Sequence, residues 1–185
     1  MTSLKVAQAT AIITSAFASG GILTISFLSV PALLLPARPT PGSQPSSSPP
    51  SHLISQVTQQ WCWAYNMGKV VFPSLAASSA LAYTYLAYAL NPSKISQTYL
   101  AAAVVTMSIA PYTLAVMLPT NKRLMERAAR NDVTPKQQGE QEENAQQREH
   151  EDRQIPDLMV KWAWMNAIRG LFPLVGAVIG ASAAL

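Results

Sequence analysis

The chain has 185 residues, 49% of them hydrophobic and only 12% charged, with a net charge of +4. Soluble domains carry about 25% charged residues, and here all nine acids fall between Glu126 and Asp157. No soluble fold covers its surface with charge so confined, and the basic residues form no continuous groove, so a soluble enzyme and a nucleic-acid binder are both excluded.

A membrane span needs about 20 predominantly apolar residues. Residues 6–35, 70–90, 95–118 and 162–185 meet that requirement, and only the last contains a charge, Arg169. They predict an all-α, integral membrane four-helix bundle, a single domain over residues 1–185. The first stretch has a rival reading as a cleaved signal peptide with Lys5 in its basic region, but its apolar run far exceeds the roughly 7–15 residues such signals use. Ala18-Ser-Gly-Gly21 and Gly176-x-x-x-Gly180 are the expected close helix contacts, because small residues let helices approach in lipid.

Two long polar, partly disordered loops are expected on one side. Residues 36–60 read as a linker whose heart, Pro39–Pro50, is Pro/Ser-rich. The second and third spans meet in a tight turn at Asn91-Pro92-Ser93. Beyond the third span, Asn121–Arg130 continues the helix past the membrane. Residues 131–155 form the second linker, and Lys136–Arg153, rich in Gln and Glu, is expected to be disordered. Ile155-Pro156-Asp157 opens the last helix. Lys122, Arg123, Arg127 and Lys161 lie on the side of the long loops, against Lys5 and Lys94 opposite, so the positive-inside rule places those loops in the cytosol.

The single cysteine, Cys62, excludes a disulfide framework. His52 and His150 are far apart, and no HExxH, CxxC or inward Glu-x-x-His pair is present, so the pattern predicts no protein-bound metal. The unusual residues collect at the cytosolic end: Trp61, Trp63, Asn66 and Lys69; Pro119, Thr120, Asn121 and Lys122; Trp162, Trp164, Asn166 and Arg169. Trp162, Asn166, Arg169 and Pro173 are spaced to share one stripe of a helix. A charge as deep as Arg169 costs at least about 2.5 kcal/mol and must face protein or water. No span holds an acid to pair with it. Its partners are carbonyls freed by Pro111, Pro119 or Pro173, the amides of Asn66, Asn121 and Asn166, or an anionic ligand. Two readings stay open: a helix-locking cluster with a snorkelling arginine, or a clamp for an anion or carbonyl. The four tryptophans are either an interfacial belt or, with Trp162 best placed, a flat apolar wall. Tyr83, Tyr85, Tyr88 and Tyr112 read as packing before catalysis. An unperturbed imidazole changes charge near working pH, so the histidine at position 52 is either a base or an idle surface residue.

The order of motifs resembles the small four-span anthrone oxygenase family of fungal polyketide pathways. The resemblance rests on Ser19-Gly-Gly, Val30-Pro-Ala-Leu-Leu-Leu35, Gly68-Lys-Val-Val-Phe-Pro73, Ala110-Pro-Tyr-Thr-Leu-Ala-Val-Met-Leu-Pro-Thr-Asn-Lys-Arg-Leu124 and Trp164-Met-Asn-Ala-Ile-Arg-Gly170, and covers nearly the whole chain. It implies oxidation of an anthrone, a small aromatic polyketide, to an anthraquinone with molecular oxygen, without metal, flavin or other cofactor, at the endoplasmic reticulum. Deprotonating the anthrone CH₂ gives an electron-rich enolate that reacts with oxygen. That needs an apolar slot, a stabiliser for the oxyanion and a base. On the resemblance, Arg169, Asn166 and Asn121 are the expected stabiliser, and Trp162, Trp164 and Tyr112 the expected substrate contacts. His52 is the ordinary candidate base, with Tyr112 or water as substitutes. The alternative is a non-catalytic membrane scaffold that recruits pathway enzymes through its charged loop; a transporter fits less well, because the non-cytosolic half is nearly all apolar. The scaffold reading expects Arg169 to be satisfied by backbone and asparagine groups, and the oxygenase reading expects a void among Asn121, Asn166, Arg169 and Trp162.

Overall fold

The structure is a computed structural model that describes residues 2–37, 51–130 and 141–185, with side chains for all of these except residue 51 and residues 141–149. The described residues form four helices: α1 (Thr2–Ala37), α2 (Ser51–Ala89), α3 (Lys94–Arg130) and α4 (Gln141–Ala184). Each is long and apolar enough to cross a membrane. The chain runs up, down, up and down. α1 packs against α2 and α4, and α3 packs against the same two helices from the other side, which makes a four-cornered bundle of antiparallel neighbours.

The helices form for local reasons. Hydroxyls that would be unmet in an apolar span donate to the carbonyl one turn back, as Thr24 does to Gly20, Ser74 to Val70 and Thr113 to Ile109. At the turn between α2 and α3, Ser93 is an N-cap whose Oγ accepts from the Ser96 amide at 3.0 Å. The Ser93 and Ser96 hydroxyls also donate to the Leu90 and Ala87 carbonyls that end α2. The expected tight turn at Asn91–Ser93 is therefore closed from both sides. Large apolar side chains such as Phe17, Leu28, Leu81, Val104, Leu114 and Val178 face outward, as a lipid-facing surface requires.

Small residues set the helix spacing at the end that carries the termini. A Cβ on Gly176 would lie 2.0 Å from Thr106 Oγ1 and 3.1 Å from the Ala102 carbonyl oxygen, so α3 and α4 touch nearly backbone to side chain there. A Cβ on Gly180 would lie 2.4 Å from the Tyr83 ring on α2. Both belong to the small-xxx-small pattern read from the sequence.

The linkers differ from expectation. Within the reading of 36–60 as linker, the chain is already helical from Ser51; within 131–155, it is helical from Gln141. The Pro/Ser heart up to residue 50, and residues 131–140, lie outside the described residues. Beyond the apolar spans, α3 and α4 continue side by side as a polar hairpin. Arg127 and Asp152, both buried, pair in a fork, with Nε donating to Oδ1 at 2.6 Å and an Nη to Oδ2 at 2.8 Å. Arg130 pairs with Glu151 beside them. Gln- and Glu-rich composition predicts disorder when a segment has nothing to pack on, but here the α3 extension supplies partners for Glu151 and Asp152.

Two outcomes follow. Gly176→Ala destabilises the bundle by about 1–3 kcal/mol through overpacking, whereas Gly20→Ala, whose Cβ meets nothing within 4 Å, leaves the unfolding midpoint in detergent unchanged. Asp152→Ala strands a buried guanidinium and lowers stability by about 3 kcal/mol; the exchanged pair Arg127→Asp with Asp152→Arg recovers part of that loss in the same thermal unfolding measurement.

Candidate functional site

At the end of the bundle that carries the two long connections, α1 and α3 leave regular α geometry. α1 widens to a π-helix over Ile25–Ser29 and α3 over Thr113–Met117. Each wide turn stops two residues before a proline, Pro31 or Pro119. Proline has no N–H and its ring crowds the carbonyl four residues back, which is that of Phe27 in α1 and Ala115 in α3, inside the two wide turns. Widening redistributes the bonds: the Val30 amide donates to the Ile25 carbonyl, five residues back. Such turns recur at functional sites because they aim groups that a regular helix holds along its axis.

α4 runs past both wide turns and buries Trp162, Asn166 and Arg169. Asn166 donates through Nδ2 to Ser26 Oγ at 2.8 Å and to the Ile22 carbonyl at 3.2 Å, which ties α4 to the first wide turn. Ser26 donates in turn to the same carbonyl at 2.9 Å. Trp162 Nε1 donates to Asn121 Oδ1 at 2.7 Å, which ties α4 to α3. The Trp162 ring stands edge-on to Trp61 of α2, 5.3 Å between centroids, and Trp61 stacks on Tyr65 at 5.1 Å and 12°. Across the site Tyr112 meets Phe172 edge-on at 5.4 Å. Arg169 lies within electrostatic reach of both Tyr65 and Tyr112.

These bonds leave a specific remainder. Asn121 Nδ2, Arg169 Nε and Trp61 Nε1 are buried donors without a partner among the described residues, and Asn166 Oδ1 is a buried acceptor without one. Each such group costs about 1–3 kcal/mol if it stays unmet. Of the asparagine amides expected to satisfy Arg169, Asn121 Oδ1 is taken by Trp162 and Asn166 Nδ2 by Ser26 and Ile22, and Asn166 Oδ1 is the acceptor left unmet. The cluster therefore holds a cationic donor, two neutral donors and one acceptor that protein groups leave unmet among the described residues, beside aromatic rings. Among the described residues no three His, Cys, Asp or Glu side chains come together as a metal would require.

The structure brings together Asn121, Trp162, Asn166 and Arg169, with Tyr112 at their edge. It does not bring in His52 or Trp164. His52 is exposed on the first turn of α2, roughly 20 Å along the helix from Tyr65. Trp164 is 61% exposed and meets Phe27 edge-on at 5.9 Å. The tryptophans divide because residues two apart on a helix point to nearly opposite faces: Trp61 and Trp162 turn in, Trp63 and Trp164 turn out. Asn66 also faces out, receiving Lys69 Nζ at 2.7 Å. Sequence reasoning missed Tyr65, Ser26 and the inward role of Trp61. The four-residue spacing of Trp61 and Tyr65 was a readable signal; Ser26 became visible only through its bond to Asn166. A separate groove of about 530 Å³ lies between the polar extensions of α3 and α4, lined by residues that include Arg123, Glu126, Glu151 and Lys161, and by none of the buried cluster.

Residues 61–179 match the family model described as anthrone oxygenase. The chain is similar to an anthrone oxygenase of Claviceps purpurea, 32% identical over 165 residues that cover 89% of this chain and 83% of the relative. It is similar to an anthrone oxygenase of Paecilomyces divaricatus, 33% identical over 94% of this chain and 92% of the relative. A monooxygenase of Dothistroma septosporum is 28% identical over 91% of this chain and 77% of the relative. No solved structure matches the chain.

The split between inward and outward tryptophans is measurable. Trp162→Phe removes the donor to buried Asn121 and lowers stability by about 1–3 kcal/mol. Trp164→Phe changes it by less than about 0.5 kcal/mol. Helical circular dichroism during thermal unfolding of the two detergent-solubilised variants reads the difference.

Proposed function

The chain belongs to the anthrone oxygenase family and is an oxygenase-like enzyme of polyketide biosynthesis; from that premise we propose that it oxidises an anthrone to the matching anthraquinone at the Asn121–Asn166–Arg169 cluster, using molecular oxygen and no metal or flavin. One observation carries the reading: Arg169 is buried, its Nε has no partner among the described residues, and no span contains an acid. A buried cation left in that state is a preorganised site for an oxygen on which negative charge develops.

The chemistry fits such a site. An anthrone carries a CH₂ opposite its carbonyl in a flat tricyclic ring. When a CH₂ proton leaves, the C–H electron pair moves through the ring and the carbonyl oxygen becomes an enolate. Arg169 receives that charge, with Asn121 Nδ2 and Trp61 Nε1 as neutral donors. Asn166 Oδ1 can accept from a ring hydroxyl. Trp162, Trp61 and Tyr112 form apolar walls for the ring. The enolate carbon adds oxygen to give a hydroperoxide, which loses water to leave the second carbonyl. Turning CH₂ into C=O releases four electrons and O₂ takes up four, with one oxygen atom retained and one released as water, so the balance needs no added reductant. With His52 remote from the cluster, water takes the first proton. In this reading the polar extensions of α3 and α4 face the cytosol, as the positive-inside rule directs, in the membrane of the endoplasmic reticulum.

Membranes containing the protein, given a small anthrone such as emodin anthrone in air, are expected to form quinone faster than membranes without it. Arg169→Ala at equal abundance is expected to lose about 100-fold or more of that acceleration. An Arg169→Ala variant as fast as the parent protein would sink the placement of the site, and a parent protein no faster than empty membranes would sink the substrate.

A further inference from the structure

Two tyrosine hydroxyls beside Arg169 have no task in the reaction above. Among the described residues neither Tyr65 nor Tyr112 makes a hydrogen bond through its hydroxyl, although both are part-buried and both lie within electrostatic reach of Arg169. The two are not equivalent. Tyr112 is held by one edge contact with Phe172. Tyr65 stands at the end of a chain of fixed groups: Asn121 holds Trp162, Trp162 stands edge-on to Trp61, and Trp61 stacks on Tyr65. Lys69 Nζ lies 5.8 Å from the centroid of the Tyr65 ring and is itself bonded to Asn66. The ring of Tyr65 is therefore positioned by two neighbours, Trp61 and Lys69, while its hydroxyl makes no hydrogen bond among the described residues, which is the arrangement a preorganised donor needs.

We propose that Tyr65 is a further catalytic residue, whose phenol O–H donates a hydrogen bond, beside Arg169, to the substrate oxygen that becomes negative as the CH₂ proton leaves. This rests on the anthrone reading of the site. The acceptor suits the donor: the enol of an anthrone is itself a phenol, so the hydrogen bond joins two oxygens of the same chemical kind, and it strengthens as the charge develops. Tyr65 keeps its proton throughout. The C–H bond breaks, its electron pair passes to the ring and oxygen, and the proton goes to water. Tyr65 is thus a donor to the oxyanion and not the base. The Trp61–Tyr65 stack also continues the wall against which a flat ring lies, so one residue supplies both the wall and the donor at its edge.

The test separates enolisation from oxidation. Purified protein in detergent, kept free of oxygen, is given an anthrone that carries deuterium on its CH₂, and wash-out of the label is followed. The parent protein is expected to accelerate wash-out, and Tyr65→Phe, which keeps the ring and its stack, to slow it about 100-fold. Tyr88→Phe, at an exposed tyrosine of α2 outside the cluster, is expected to stay within about threefold of the parent. Binding of the hydroxyanthraquinone product, read by quenching of tryptophan fluorescence, is expected to survive in Tyr65→Phe, since the wall is intact. Parent-like wash-out by Tyr65→Phe would overturn the role of Tyr65 and leave the anthrone reading standing. Loss of product binding together with wash-out would also overturn it, in favour of a purely structural tyrosine. A parent protein that binds no quinone and accelerates no wash-out would remove the anthrone reading and the role of Tyr65 together.

Discussion

A guanidinium buried among apolar spans (residues 6–35, 70–90, 95–118 and 162–185) that contain no acid has to be answered by dipoles, by water or by a ligand, because leaving it bare in a poorly polarisable interior is costly. Arg169 imposes that demand on the loop-bearing end of the bundle. One atom of each nearby asparagine is used for another purpose: Asn166 Nδ2 ties α4 to α1 through Ser26 and Ile22, and Asn121 Oδ1 receives Trp162. What remains unmet in this cluster among the described residues is Asn121 Nδ2 and Trp61 Nε1 as donors and Asn166 Oδ1 as an acceptor. In the proposed reaction, the substrate oxygen supplies the negative charge that this end of the bundle lacks.

The two ends of the bundle hold together by different physics. Near the termini, Gly176 and Gly180 let α4 press against Thr106 and Tyr83, and Gln8 Nε2 donates to the Tyr99 hydroxyl at 2.9 Å. Close packing of that kind leaves little room for a ligand. Near the loops, the prolines at 31 and 119 open α1 and α3 into wide turns, and large aromatic rings take the place of small residues. Aromatic rings present flat surfaces where glycines present backbone. A stiff end and an aromatic, polar end in one bundle let the site be shaped without loosening the fold.

The polar hairpin beyond the spans shows where composition misleads. Lys136–Arg153 has almost nothing apolar, so read alone it has no reason to fold. The extension of α3 supplies that reason from outside the segment. Arg127 and Arg130 meet Asp152 and Glu151, and Leu124 and Ile155 are buried in the core cluster that contains Trp162. The same register that pairs Arg127 with Asp152 sets Asn121 opposite Trp162, so the hairpin and the site share one alignment of α3 on α4.

The four spans, the tight turn at Asn91–Ser93, the crowding of unusual residues at one end, and the shared stripe of Trp162, Asn166 and Arg169 are legible in the order of amino acids alone. All of these depend on local properties: apolar length, proline and serine chemistry, and the 3.6-residue period of a helix. The tertiary structure decided what each residue on the stripe touches. It sent Asn166 to α1 and Asn121 to Trp162 instead of to Arg169, turned Trp164 and His52 away, and stacked Tyr65 of α2 on Trp61. Those outcomes depend on how far each helix is rotated about its own axis and where its turns widen, and neither quantity is set within one helix. They are set by which side chains interlock across helices, a property of the assembled bundle.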